Sequence, residues 1–257
     1  MDLQLESKVI FLAGASRGIG LGIAESCLRE GAKVCLVARR AEPLNVTTDH
    51  LASTYGLDRI WSVAADMRNT TDVEGAVSAC EDQLGSIWGV VANVGIHACP
   101  PGFDVGDDAW AAGIDQNLGA SFRVARSALR RMTPRKEGAI LLISSIAGLS
   151  AMGTGLTYGT AKAAVNHLSG ELAKIAGRSG IRVNALAPGN IIFPGGEWDE
   201  RMRGPRHEAW DRWIRRETPL QRFGTPDEIG TVAAFLLSPI ASFLTGAILA
   251  VDGGQSA

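Results

Sequence analysis

The sequence predicts a single α/β domain: a doubly wound parallel sheet of about seven strands with helices on both faces. Two observations predict it. Short, near-continuous apolar runs alternate with longer helical patterns from residue 8 to residue 253. The first run leads through a glycine-rich turn straight into the first helical pattern. Strands buried on both faces, each followed by a helix, define a parallel sheet between two helix layers. Right-handed crossovers then wind the chain both ways from the first strand.

Each element has its own signal. The runs KVIFLA (8–13), KVCLVA (33–38), IWSVAA (60–65) and IWGVVAN (87–93) read as buried strands. Three more follow at 139–144, 181–187 and 247–253. Helical patterns fill 18–31, 41–56, 71–85, 108–132, 156–177 and 226–238, the first three ending at a glycine. One stretch breaks the rhythm. Residues 188–219 are rich in Gly, Pro, Trp and charge, and separate a strand from a helix by far more than a usual connection. A substrate loop inserted at about 190–215 is the expectation, within one catalytic domain spanning 1–257. Its tryptophans, Trp198, Trp210 and Trp213, admit two readings: an apolar lid over a substrate, or the anchor of a helix pair.

Composition narrows the function. Hydrophobic residues make up 46% of the chain and charged residues 20%, as in a globular protein with a large core. A formal net charge of −2 argues against nucleic acid or an anionic membrane as partner. The acidic N-terminus has no basic region before a long apolar stretch, and no window approaches 18 uninterrupted apolar residues. Cys27, Cys35 and Cys80 fall in apolar periodic segments and Cys99 in a loop, which points to reduced thiols and a cytoplasmic location. His50, His97, His167 and His207 are scattered, so no metal site is expected.

The turn LAGASRGIG carries the first chemistry. Gly14, Gly18 and Gly20, with Ser16, Arg17 and Ile19 between them, lie between the first strand and the first helix. Glycines let a pyrophosphate approach the backbone, and the helix N-terminus offers free N–H groups and the positive end of its dipole. The same spacing suits a plain turn that needs glycine. Its place in the first strand–helix unit favours a Rossmann-type dinucleotide site, and the lack of G-K-[ST] argues against a nucleoside triphosphate loop. An acid at the end of the second strand would hold the ribose 2′-hydroxyl of NAD. Here Ala38 stands at that place, followed by Arg39 and Arg40, with Arg17 in the turn itself. Guanidinium groups bind a phosphate in two-pronged fashion, so NADP(H) is expected over NAD.

With these motifs and those that follow, the sequence resembles the short-chain dehydrogenase/reductase family over nearly its whole length, its 3-oxoacyl-carrier-protein reductase-like members in particular. Asp66, with Met67 beside it, matches the position that contacts adenine. ANVG (92–95), with Asn93 and Gly95, resembles the family's Asn-Asn-Ala-Gly. Asn117 in DQNLGA, Ser145 thirteen residues before Tyr158, and the pair Tyr158 and Lys162 match the catalytic set. Pro188 and Gly189 match the pair after the sixth strand. Three motifs depart: Ala13 stands where threonine is common, Ala92 and Val94 alter the asparagine motif, and Phe193 stands where a threonine often contacts the nicotinamide carboxamide. The backbone at Ile191 is the candidate to take over that contact.

The resemblance implies a mechanism. Tyr158 protonates a carbonyl oxygen as NADPH reduces the carbon, or deprotonates the alcohol in reverse. Ser145 holds the same oxygen, Lys162 grips the nicotinamide ribose, and Asn117 holds a relay water. Tyr158 and Lys162, four apart, share a helix face, so the ammonium is expected to bring the phenol's pKa down. Ser144 is read as structural, because neighbouring strand residues face opposite ways. The substrate expected is a small ketone or secondary alcohol, with a 3-oxoacyl thioester as the alternative. A non-catalytic NADP-binding redox sensor is the rival of another class, and the resemblance implies a homodimer or homotetramer.

Overall fold

The structure, a computed structural model, describes residues 2–95 and 102–257. Seven parallel strands form one sheet in the order β3-β2-β1-β4-β5-β6-β7. They are β1 Val9–Ala13, β2 Lys33–Ala38, β3 Ile60–Ala64, β4 Ile87–Ala92, β5 Gly138–Ile143, β6 Ile181–Pro188 and β7 Ile248–Val251. Alternation within one apolar run explains why β1 reads as continuous. Val9, Phe11 and Ala13 enter the core on one side of the sheet, while Ile10 and Leu12 enter the core on the other.

Helices α1 Gly18–Arg29, α2 Ala41–Tyr55 and α3 Thr70–Leu84 follow the first three strands. Asn69 starts α3 by accepting from the Thr71 and Asp72 N–H groups, and Gly56 and Gly85 end α2 and α3. The helical pattern at 108–132 is not one regular helix. It is α4 Asp107–Ile114, a π turn Asp115–Gly119 and α5 Ala120–Met132. Beyond β5, α6 Leu156–Ala176 is the longest helix among the described residues. The irregular stretch 188–219 folds in part as two short helices, α7 Glu197–Arg203 and α8 His207–Glu217.

Helix α9 Pro226–Leu237 begins with a complete capping box. The Thr225 Oγ1 accepts from the Glu228 N–H at 3.4 Å, and a Glu228 carboxylate oxygen accepts from the Thr225 N–H at 2.9 Å. Arg222 forks onto the same carboxylate at 2.6 and 2.9 Å. That guanidinium, aided by the Thr225 N–H, holds the Glu228 pKa down at about 2 against its burial. The folded pKa is depressed, so this contribution to stability is full above the ordinary carboxylate value of about 4.5 and is lost as pH falls toward 2. Glu228→Gln should lower the urea midpoint at pH 7, and its gap to the parent should narrow below pH 4.5. A gap unchanged between pH 7 and pH 3 would show that the charge is not what stabilises this helix start.

Candidate active site

The site lies at the carboxyl ends of the strands, where the order reverses between β1 and β4. Gly14 leaves β1 with φ +85°, a conformation that glycine adopts without strain. Its N–H donates to the Val37 carbonyl at 2.8 Å, and its own carbonyl accepts from Asn93 Nδ2 at 2.8 Å. The Asn93 N–H in turn donates to the Ala13 carbonyl at 3.0 Å. The tips of β1, β2 and β4 are thereby pinned together beneath the N-terminus of α1.

Ser145 follows β5 and caps a short 3-10 turn, its Oγ accepting from the Ala147 N–H at 3.2 Å. That turn sits directly on α6: a Cβ added to Gly148 would lie 2.5 Å from the Lys162 carbonyl carbon. The close approach brings Ser145 to Tyr158, whose phenol it hydrogen-bonds. Ser144 faces the other way, its Oγ donating to the Lys162 carbonyl at 3.1 Å, and so braces α6 on β5. Lys162 is buried, and its ammonium donates to the Ile143 carbonyl at 2.9 Å and the Val94 carbonyl at 3.3 Å. The ammonium therefore joins the ends of β4 and β5, 5.7 Å from the centre of the Tyr158 ring.

The electrostatics differ from the sequence expectation. The Tyr158 pKa lies above its ordinary value, because burial disfavours the phenolate; the Ser145 hydrogen bond opposes this and the Glu197 charge adds to it. Burial also brings the Lys162 pKa down to about 8. Both groups are pushed toward their neutral forms, since desolvation penalises charge of either sign. The ammonium does not dominate the phenol, because it is directed onto two backbone carbonyls.

Asn117 stands in the π turn rather than in a regular helix, and its Nδ2 donates to the Gly113 carbonyl at 2.9 Å. A π turn widens the helix by one residue and often marks a functional position. Here it aims Asn117 at Gly95. A Cβ at Gly95 would lie 2.3 Å from Asn117 Oδ1 and 3.3 Å from Lys162 Nζ, so these two side chains border the same small space.

One cavity of about 810 Å³ runs through the site. From the glycine turn it takes Gly14, Ser16, Arg17 and Ile19. From the tips of β2 and β3 it takes Arg39, Asp66 and Met67, and from β4 Asn93 and Gly95. Ser145, Tyr158, Lys162, Pro188 and Gly189 line the rest. Gly18, Gly20, Asn117 and Ile191 do not line it. Gly18 lies under the ring of Phe193, where an added Cβ would meet three ring carbons at 2.6–2.8 Å. The Ile191 side chain is buried against Gly224 in the core. Arg40 and Phe193, both singled out in the sequence, also line the cavity, and so do Arg68 and Gln116, which were not among the candidate residues. For Arg68 a signal was present: it follows Asp66 by two positions. His97 and Cys99 lie outside the described residues.

The tryptophans of the insertion pack on one another. Trp198 stacks on Trp213 at 5.2 Å, meets Trp210 edge-on at 5.7 Å and touches Phe223 at 5.1 Å. Arg201 lies over the rings of Trp198 and Trp210. None of the three lines the cavity, so the rings anchor α7 to α8. Among the described residues no helix is long and apolar enough to cross a membrane, and no group of three or more His, Cys, Asp or Glu side chains could hold a metal ion.

The residues present fit a dinucleotide: backbone N–H groups at a helix start, a turn that Gly14 leads out of β1, and arginines without an acid at Ala38. Comparison with known proteins agrees. Residues 14–256 match the family described as Enoyl-(Acyl carrier protein) reductase. The chain is 34% identical to 2-(S)-hydroxypropyl-CoM dehydrogenase 3 of Xanthobacter autotrophicus and 33% identical to a 3-oxoacyl-(acyl-carrier-protein) reductase of Chlamydia muridarum, with all of each chain covered. It superposes on L-sorbose reductase of Gluconobacter frateurii, solved with NADPH and L-sorbose, with a TM-score of 0.92 at 30% identity, covering 99% of this chain and 98% of that one. The chain belongs to the short-chain dehydrogenase/reductase family. It is an oxidoreductase that works between CH–OH and C=O groups with a nicotinamide cofactor.

Proposed function

We propose that this chain is an NADP(H)-dependent reductase of a small ketone, or dehydrogenase of the matching secondary alcohol, with Tyr158 as general acid and base. The observation that carries the reading is the continuity of one cavity, which joins the Ser145–Tyr158 pair to Arg17, Arg39 and Arg40. The cofactor, when bound, supplies or accepts the hydride. The chain's own residues do the rest. Arg17, Arg39 and Arg40 offer donors to a 2′-phosphate, and Asp66 and Met67 border the adenine side. Ser145 holds the substrate oxygen beside the phenol of Tyr158, which donates or accepts its proton. Lys162 holds ribose hydroxyls, and Asn117 lies close enough to serve its proton exchange.

The substrate class rests on the reaction that the relatives' names share. A hydroxypropyl thioether, a 3-oxoacyl chain and a sugar ketone differ in every part except the carbinol–carbonyl couple. The proposal extends to pairing of copies through the exposed side chains of Trp110 and Phe122, on α4 and α5.

Arg39→Asp tests the cofactor reading. It replaces a donor for the 2′-phosphate with a carboxylate placed to accept from a ribose hydroxyl. The expected result is a shift of about 10- to 100-fold in the NADPH-to-NADH ratio of kcat/KM toward NADH. A parent enzyme that already prefers NADH would overturn the reading. A panel of ketones, 3-oxoacyl thioesters and secondary alcohols, followed at the nicotinamide absorbance, then identifies the substrate class.

A further inference from the structure

The cavity end formed by the tips of β2 and β3 is bordered by three arginines, Arg39, Arg40 and Arg68, while Arg17 lines the cavity from the glycine turn, its Nη1 donating to the Gly195 carbonyl at 3.0 Å. Among the described residues lining the cavity, Asp66 is the only carboxylate. That carboxylate is fully engaged. Arg68 Nη2 donates to Oδ2 at 2.5 Å, and Arg68 Nε bridges Oδ1 at 3.1 Å and Oδ2 at 3.0 Å. The Arg68 N–H adds a bond to Oδ1 at 3.0 Å. The backbone of Asp66 is fixed as well, its N–H donating to Asp72 Oδ2 at 3.1 Å and its carbonyl accepting from the Asn69 N–H at 2.9 Å. The fork therefore grows from a rigid turn at the start of α3.

Arg39 is in electrostatic reach of the same carboxylate. The Asp66 pKa is held below its ordinary value by Arg68 above all, with Arg39 contributing through space. Among the described residues, the ion pair of Asp66 is with Arg68 and not with Arg39. Without Arg68 the carboxylate would be open to Arg39, and a carboxylate–guanidinium pair is a direct competitor of a phosphate–guanidinium pair. A bare carboxylate at this end would also repel a phosphate dianion, and a cavity wall weakens that repulsion less than open water does.

We propose that Arg68 is a positioning residue for cofactor choice: by clamping Asp66 it leaves Arg39 available to a 2′-phosphate and screens the carboxylate that lines this end of the cavity and would oppose it. The inference rests on the NADP reading above and extends it to a residue outside the arginines that would touch the phosphate. Asp66 keeps its place beside the adenine, and Arg68 removes its electrostatic cost. A fork that served only to brace the turn would affect all adenine nucleotides alike.

The test uses binding rather than turnover. Calorimetry with 2′,5′-ADP and 5′-AMP, which differ only in the 2′-phosphate, is run on the parent, Arg68→Leu, Arg68→Lys, Asp66→Asn and the Arg68→Leu/Asp66→Asn double variant. Arg68→Leu should lower the preference for 2′,5′-ADP by about five- to twentyfold. The double variant should return to within about twofold of the parent, because the charge that Arg68 neutralises is gone. Arg68→Lys, which keeps the charge without the fork, should fall between parent and Arg68→Leu, and serves if the leucine variant does not fold. Equal weakening of both nucleotides, or a lowered preference that Asp66→Asn does not restore, overturns the role of Arg68. A parent that binds 5′-AMP as tightly as 2′,5′-ADP overturns the NADP reading beneath it, and does so before any variant is made.

Discussion

Tyr158→Phe is expected to lower kcat for carbonyl reduction by about 10²- to 10⁴-fold, the range lost when a positioned general acid is removed. NADPH affinity should stay within about twofold, because the variant changes only the phenol oxygen. The half-buried ring keeps its place on α6, and Lys162 keeps its bonds to the Ile143 and Val94 carbonyls. Ser145 keeps its own anchor at the Ala147 N–H. Ser145→Ala should cost less, because the phenol proposed as the proton donor remains. A Tyr158→Phe enzyme with kcat within fivefold of the parent would remove Tyr158 from the chemistry.

The two pKa directions give that result a pH signature. The raised phenol pKa keeps Tyr158 protonated at neutral pH, which suits it to act as an acid. Lys162, with its pKa down at about 8, is still charged at pH 7 and loses its proton as pH rises through that value. Reduction should therefore hold steady from pH 6 to 7.5 and decline above about 8, while alcohol oxidation, which needs the phenol as a base, should gain with pH. Lys162 also favours the folded state more as pH rises. Its folded pKa lies below the unfolded value, so the cost of burying its charge applies below about 8 and disappears above 10.5.

The strands were legible because both faces of the sheet are covered, so that residues such as Val9 to Ala13 are apolar without interruption. The glycine turn was legible because its spacing and its position in the chain agree. The π turn at Asp115–Gly119 was not, since inserting one residue into a helix leaves the apolar periodicity of 108–132 nearly intact. Short helices α7 and α8 were hidden by glycine and proline between them, and their ring cluster needed the tertiary arrangement to tell an anchor from a lid. The sign of the Tyr158 shift was also out of reach. Spacing on a helix brings ammonium and phenol to one face, but how much each is desolvated depends on the strands and the turn packed above them. Buried Arg182 is a similar case: it reads as a charge on a strand, yet it donates to the carbonyls of Leu236 and Ser238 at the end of α9.

Gly20→Ala is the second large effect expected. A Cβ on Gly20 would lie 1.9 Å from the Gly14 carbonyl oxygen and 2.8 Å from Asn93 Nδ2. The obstacle is backbone, so no side chain can swing aside. Either the Gly14 carbonyl rotates, which breaks its bond from Asn93 Nδ2, or α1 shifts, which disturbs its packing on α9. Overpacking of this kind costs about 1–3 kcal/mol. For a chain of this size that corresponds to a fall in Tm of roughly 3–10 °C. Either movement also misplaces the N–H groups at the start of α1, so NADPH affinity should weaken by more than about tenfold. Gly75→Ala provides the control. Gly75 lies exposed on α3 with nothing within 4 Å of its added Cβ, so alanine there should gain about 0.5–1 kcal/mol from helix propensity alone. Opposite signs at two helical glycines would locate the effect in the contact at Gly20 rather than in glycine replacement as such. A Gly20→Ala protein as stable as the parent, and as tight for NADPH, would mean that the turn at Gly14 is not the rigid cradle described.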